Sequence, residues 1–284
     1  MPDNTWEPAL RLGSFLGVFV LLAVGEWFAP RRRLSLGKPL RWSSNLGLVA
    51  LNTLCLRLLA PLGAVGVALA AEAHGWGLFQ VLEVPWWLAV VLSVLLLDAA
   101  IYLQHVMLHA VPLLWRLHLV HHADLDFDVT TGLRFHTIEI VLSLGIKAAV
   151  IALVGAPAVA VLVFEVLLNA TSMFNHSNLR LPPALDRWLR LVVVTPDMHR
   201  VHHSVITRET NSNFGFNLPW WDWLFGTYRA QPKAGHEQMT IGLAPLRDER
   251  IVDRLPGMLL LPLGRKALGY SISGPDDEPT SGQP

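Results

Sequence analysis

"HLVHH" at residues 118–122 and "HRVHH" at 199–203 are two copies of one pattern, His-x-x-His-His. Together they use six of the twelve histidines in a chain of 284 residues that is otherwise mostly aliphatic. In a helix, positions i, i+3 and i+4 share one face. His118, His121 and His122 therefore converge, and so do His199, His202 and His203. A third stretch, "HVMLH", puts His105 and His109 one turn apart. One such match arises by chance often enough to mean little; two copies beside a third pair point to metal. A lone histidine is more often structural, which is the reading for His74 and His236.

The three boxes hold eight histidines, more than the four that a tetrahedral zinc site takes, so two metals fit. No His-Glu-x-x-His occurs, so the general base of the common zinc-protease motif is missing. Imidazole suits zinc, copper, iron and nickel alike. An apolar setting favours redox chemistry, because attack on an unactivated C–H bond needs activated O2 and a metal such as iron with open positions.

That setting is a membrane. The chain is 52% hydrophobic and only 15% charged, with eleven Trp, too apolar for an ordinary soluble domain. Its formal net charge of zero implies no attraction to nucleic acid. The single cysteine, Cys55, excludes a disulfide framework or a thiolate metal site. Residues 10–29 can cross a bilayer if Arg11 and Glu26 snorkel to the interfaces. Residues 44–72 and 84–104 read as two more crossings, and 138–174 as a double-length run broken by "GAP" at 155–157. The basic loop 30–42 belongs on the cytoplasmic side, and counting crossings from it places every histidine box there too. The expected fold is all-α: an integral membrane bundle of three crossings plus a helical hairpin, with a cytoplasmic helical cap over a histidine-rich two-metal site. The Pro/Gly/Ser-rich tail from about 271 is expected to be disordered.

Further polar residues have candidate roles. Stepping back from His105 and His109 gives Tyr102 and Asp98 on the same helical stripe. An aspartate in a membrane helix is a functional candidate, suited to accepting a ring N–H and fixing a histidine tautomer. Asp197 could cap its helix or orient a ligand. Arg134 and Arg200 are open to a lipid headgroup or a carboxylate partner. Trp220, Trp221 and Trp223 mark an interface or a lipid entrance. With Ala156 as the hairpin tip, Lys147 lies nine residues before and Glu165 nine after, so they should pair at one depth. The same count brings His136 and His176 together at the cytoplasmic mouth, beside the metals.

The boxes, with "RFHTIE" (134–139), "NHSN" (175–178) and "TPDMHRVHHS…NSNFGFNLPWWDWLFGTY" (195–228), resemble the fatty acid hydroxylase superfamily in its bacterial, sterol-desaturase-like branch. The resemblance implies a membrane di-iron oxygenase that hydroxylates or desaturates a lipid, with O2 as co-substrate. By motif match the ligands are His105, His109, His118, His121, His122, His199, His202 and His203. His176 matches an isolated histidine that follows the hairpin in relatives. Some relatives place a second histidine four residues earlier, where this chain has Ser172, which makes His136 the candidate for a tenth ligand. Electrons would come from a separate ferredoxin- or cytochrome-type protein, and the setting would be a bacterial inner membrane. The implied organisation is N-terminal membrane helices over 1–83, a catalytic region over 84–230 and a C-terminal extension over 231–284. The rivals are a zinc-dependent membrane hydrolase and a metal-binding membrane protein without catalysis.

Overall fold

The computed structural model describes residues 6–264 and 268–272, and every regular element among them is a helix. Five segments are long and apolar enough to cross a membrane: Trp6–Phe28, Lys38–Val81, Trp86–Ala110, Thr137–Val154 and Ala158–Asn175.

α1 (Trp6–Phe28) buries only Leu22 and Glu26 against the protein, as expected of a helix whose other faces meet lipid. Glu26 does not snorkel outward. Its Oε1 accepts the backbone N–H groups of Val129 (2.7 Å) and Asn178 (2.8 Å). The stretch read as one crossing over 44–72 is two helices, α2 (Lys38–Leu59) and α3 (Gly63–His74). Pro61 breaks the run because it has no N–H to continue the ladder. The first half of α2 belongs to the polar end of the molecule, where Arg41 and Asn45 are buried. Asn52 then donates to the carbonyl of Phe135, just before the hairpin begins. After the short turn α4 (Leu78–Val81), α5 (Trp86–Ala110) turns Ser93, Leu97, Asp98, Ile101, Tyr102, His105 and His109 inward at helical spacing.

α5 stops at Val111, and Pro112 opens α6 (Pro112–His122) at a position that needs no N–H. The hairpin is α7 (Thr137–Val154) and α8 (Ala158–Asn175), turned through Gly155 at φ +72°, a left-handed cap that only glycine adopts without strain. Leu97 and Ile101 of α5 pack with Ala64, Ala68, Ile151, Val161 and Phe164 into the core between α3, α5 and the hairpin.

Beyond the hairpin come α9 (Pro183–Leu189), α10 (Pro196–His202), α11 (Thr207–Thr210) and α12 (Trp220–Leu224). Residues after 230 return to α6, where Leu243, Leu246, Val252 and Met258 pack against Trp115 and Leu119. The tail expected to be disordered from about 271 begins with two docked residues. Ser271 Oγ and the Ile272 N–H both donate to the carbonyl of His109. Residues 273–284 lie outside the described residues.

Between the first His-x-x-His-His element and the hairpin, the loop 123–136 is held by buried ion pairs. Arg41 bonds Asp124 (2.9 Å) and Asp128, while Arg134 bonds Asp253 (2.9 Å) and the carbonyl of Val120 (2.7 Å). Arg134 is fully buried and so meets a carboxylate rather than a lipid headgroup. Within the hairpin, Lys147 Nζ lies 2.9 Å from Glu165 Oε1. Arg11, expected at the interface, places its Nη2 2.8 Å from Glu165 Oε2.

Candidate metal centre

Nine histidines converge in two groups, each with its nitrogens within 4.8 Å of one another and all buried. His105, His109, His118, His122 and His202 form the first; His121, His176, His199 and His203 form the second. The i, i+3, i+4 spacing does something specific here. In each His-x-x-His-His element the i and i+4 rings serve one group and the i+3 ring crosses to the other. Thus His118 and His122 join the first group and His121 the second, while His199 and His203 join the second and His202 the first. The two elements interlock, with His122 stacked on His203 at 4.7 Å.

The outer ring nitrogens identify which atom faces inward. Nδ1 donates to the carbonyls of Phe214 (from His105, 2.8 Å), Arg134 (His121, 3.2 Å), Ser172 (His176, 2.7 Å) and Ser212 (His202, 2.7 Å). It donates to Glu139 Oε1 from His118 (2.7 Å) and to Asn211 Oδ1 from His109 (3.0 Å). A carbonyl or carboxylate can only accept, so these rings carry their proton on Nδ1 and present an Nε2 lone pair to the interior.

The interior Nε2 atoms then face one another without a proton between them. His105 and His118 are 3.1 Å apart there, and His121 and His176 3.0 Å. The Nε2 of His202 and both nitrogens of His203 (Nδ1 and Nε2) are buried with no hydrogen-bond partner. Opposed lone pairs repel unless a cation lies between them, so the donor set fits metal ions. The first group offers five nitrogens, one more than a tetrahedral zinc site takes.

Burial and neighbouring rings push His121, His122, His199, His202 and His203 well below the ordinary histidine value, and burial takes His176 to about 3. The rings are therefore neutral at physiological pH, the form that binds metal.

Several expected roles change. His136 stands outside both groups. It caps α7, its Nδ1 accepting the Ile138 N–H, and its Nε2 points to the carbonyl of Leu259 at 3.4 Å. Glu139, in the first turn of α7, makes that helix's contact with the centre instead. Ser172 contributes its carbonyl to His176, and its hydroxyl donates to Gly132 (2.8 Å). Gly132 is obligatory there, since a Cβ would lie 2.4 Å from the Ser172 carbonyl oxygen.

Asp98 accepts no histidine N–H. Its Oδ2 takes Trp221 Nε1 (2.8 Å) and the Leu218 N–H (3.3 Å). Tyr102 bonds Thr227 rather than a ring nitrogen, and meets Phe214 edge-on, which in turn packs against His105. Asp197 neither caps α10, a role taken by Thr195, nor orients a ligand. It pairs with Arg31 (3.0 Å) and Arg200, so Arg200 too has a carboxylate partner.

Asn211, whose place in the sequence suits a loop cap or a polar support for the ligands, takes the second of these roles as an acceptor, whereas Glu139 had no role assigned from the sequence. Glu139 was visible as a carboxylate opening an apolar run, a position that demands a partner. Replacing it with Leu should lower metal affinity about 10- to 100-fold, read by chelator competition, with Glu139→Gln affected less because it still accepts. Equal affinity in all three proteins would remove Glu139 from the centre's support.

Three relatives are similar over this region. Ornithine lipid hydroxylase OlsE of Rhizobium tropici is 31% identical over 168 residues, covering 58% of this chain and 48% of that protein. Alkylglycerol monooxygenase of Xenopus tropicalis is 30% identical over 202 residues, covering 68% and 42%. The Homo sapiens alkylglycerol monooxygenase is 29% identical over 187 residues, covering 62% and 38%. The chain thus spans less than half the length of these relatives. No solved structure matches it. Residues 90–227, which carry all nine converging histidines, match the fatty acid hydroxylase family, and with these relatives they support membership of the fatty acid hydroxylase superfamily.

Proposed function

We propose that this protein is a membrane-embedded di-iron oxygenase that hydroxylates a lipid, using O2 and electrons from a separate ferredoxin- or cytochrome-type carrier. The carrying observation is the pair of buried imidazole groups with opposed Nε2 lone pairs. When bound, the irons would supply the O2 activation that an unactivated C–H bond requires. The chain's own part is to hold them. Nδ1 acceptors fix the tautomers, Glu139 draws on the proton of His118, and complete burial keeps bulk water from the centre. Hydroxylation is favoured over desaturation because the relatives' names describe a hydroxylase and monooxygenases. Placing one oxygen atom in a C–H bond while reducing the other to water takes two electrons and two protons, hence the carrier. Comparison of lipids from cells with the intact protein and with His121→Ala tests this directly. The intact protein should yield a lipid heavier by one oxygen, dependent on O2 and iron. Equal turnover with zinc alone, or without O2, would overturn the reading in favour of a hydrolase.

The centre is assigned to the cytoplasmic face, in a bacterial inner membrane. Support comes from the basic loop 30–42, tied to the last His-x-x-His-His element through Arg31 and Asp197. In a Cys55→Ser background, cysteines at exposed Ser35 and Arg208 should be closed to an impermeant thiol reagent in intact cells. A cysteine at exposed Glu83 should be labelled. Labelling of Ser35→Cys or Arg208→Cys from outside would reverse or break this topology.

A further inference from the structure

The α5 and α8 helices serve as two rulers for depth. Trp86 and Trp87, both exposed at the start of α5, mark a water–lipid boundary. At 1.5 Å per residue, Asp98 lies about 18 Å along from Trp86, and Thr171 about 20 Å along from Ala158. His105 and His176 lie about 27–29 Å along the same helices, close to the far side of a hydrocarbon core about 30 Å thick. Asp98 and Thr171 are the residues that hold the stretch following the last His-x-x-His-His element. Asp98 accepts the Trp221 indole and the Leu218 N–H, and the Thr171 hydroxyl bonds Asn217. That stretch therefore lies roughly 8–10 Å deeper into the membrane than the ligands.

Its surface matches that depth. Leu224 is 69% exposed and Phe225 56%, with Trp220 and Trp223 exposed beside them. The stretch docks on α5 through Tyr102 and Asp98, and Leu96 and Leu103 of that helix are exposed as well. The polar groups of the stretch turn inward. Trp220 Nε1 donates to the Leu191 carbonyl, and Asp222 is buried, accepting the N–H groups of Phe214 and Gly215 and the Thr227 hydroxyl. Irregular backbone is tolerated at membrane depth only when satisfied in this way.

We propose that residues 218–226 form a re-entrant element embedded among the acyl chains of the leaflet that carries the metal centre, rather than part of a water-facing cap. Lipid chains are its partner. This placement depends on neither metal identity nor reaction. On the lipid-oxygenase reading above, it also puts a substrate chain beside the centre without the lipid leaving its leaflet. Phe225 stacks on Tyr102 (5.4 Å), Tyr102 meets Phe214 edge-on (6.4 Å), and Phe214 meets His105 (5.4 Å).

The test uses the full chain with Cys55→Ser and a single bimane-labelled cysteine, reconstituted in phosphatidylcholine vesicles with brominated chains. Leu224→Cys should be quenched severalfold more by brominated lipid than Arg208→Cys, and severalfold less by aqueous iodide. Metal content equal to the parent's shows that the labelled protein is folded, and Trp223→Cys replaces Leu224→Cys if it is not. Iodide quenching at 224 equal to that at 208 would make the element water-facing. Protection from both quenchers would mean that protein covers it. Either result overturns the proposal.

Discussion

Replacing His121 with alanine is expected to bring turnover to background and to lower metal content from about two ions per chain to about one. The ring belongs to the group of four, so its loss leaves three imidazoles for that ion. His202→Ala should be equally inactive yet hold metal better, because four imidazoles remain in its group. The difference follows from the crossing of the i+3 histidines. Each of these two rings comes from one His-x-x-His-His element and completes the group built on the other. Iron analysis of anaerobically prepared protein, with single-turnover assays in O2, checks both. Full activity in the double variant His121→Ala, His202→Ala would end the two-metal reading. Loss of the same metal in both single variants would show that the crossing is wrong.

The histidine spacing made the convergence legible, because side-chain periodicity in a helix is a property of sequence alone. The division into five and four was not, since it depends on how α6 and α10 approach each other. Most of the groups that fix the tautomers were also hidden. Four of the acceptors, at Phe214, Arg134, Ser172 and Ser212, are backbone carbonyls, which carry no residue signature. Equal counting from Ala156 set His136 and His176 at one depth but could not say which way each side chain turned. His136 sits at the helix start, where its ring serves an unsatisfied backbone N–H. Asp98 misled for a related reason. A buried carboxylate needs donors, but tertiary structure supplied an indole and an amide from 120 residues away instead of the histidine on its own helix.

The hairpin charges give the second large effect. From the sequence, Lys147 and Glu165 form an isolated pair, so Lys147→Met should strand a carboxylate and harm more than the double change Lys147→Met, Glu165→Leu. In the fold Glu165 is shared, with Lys147 on Oε1 and Arg11 of α1 on Oε2. Lys147→Met therefore leaves Glu165 paired, and in the double variant Arg11 keeps Glu7 at 2.9 Å. Glu165→Leu alone is the damaging change. It leaves the Lys147 amine inside an apolar span and also cuts the tie between α1 and α8. Removing one partner of a buried pair costs about 3–5 kcal/mol. The expected order of destabilisation in lipid nanodiscs is Glu165→Leu first, with Lys147→Met and the double variant both milder. Thermal unfolding midpoints read that order, provided unfolding is reversible. If Lys147→Met proves as harmful as Glu165→Leu, Arg11 does not hold the carboxylate, and α1 is fixed to the hairpin by apolar packing alone.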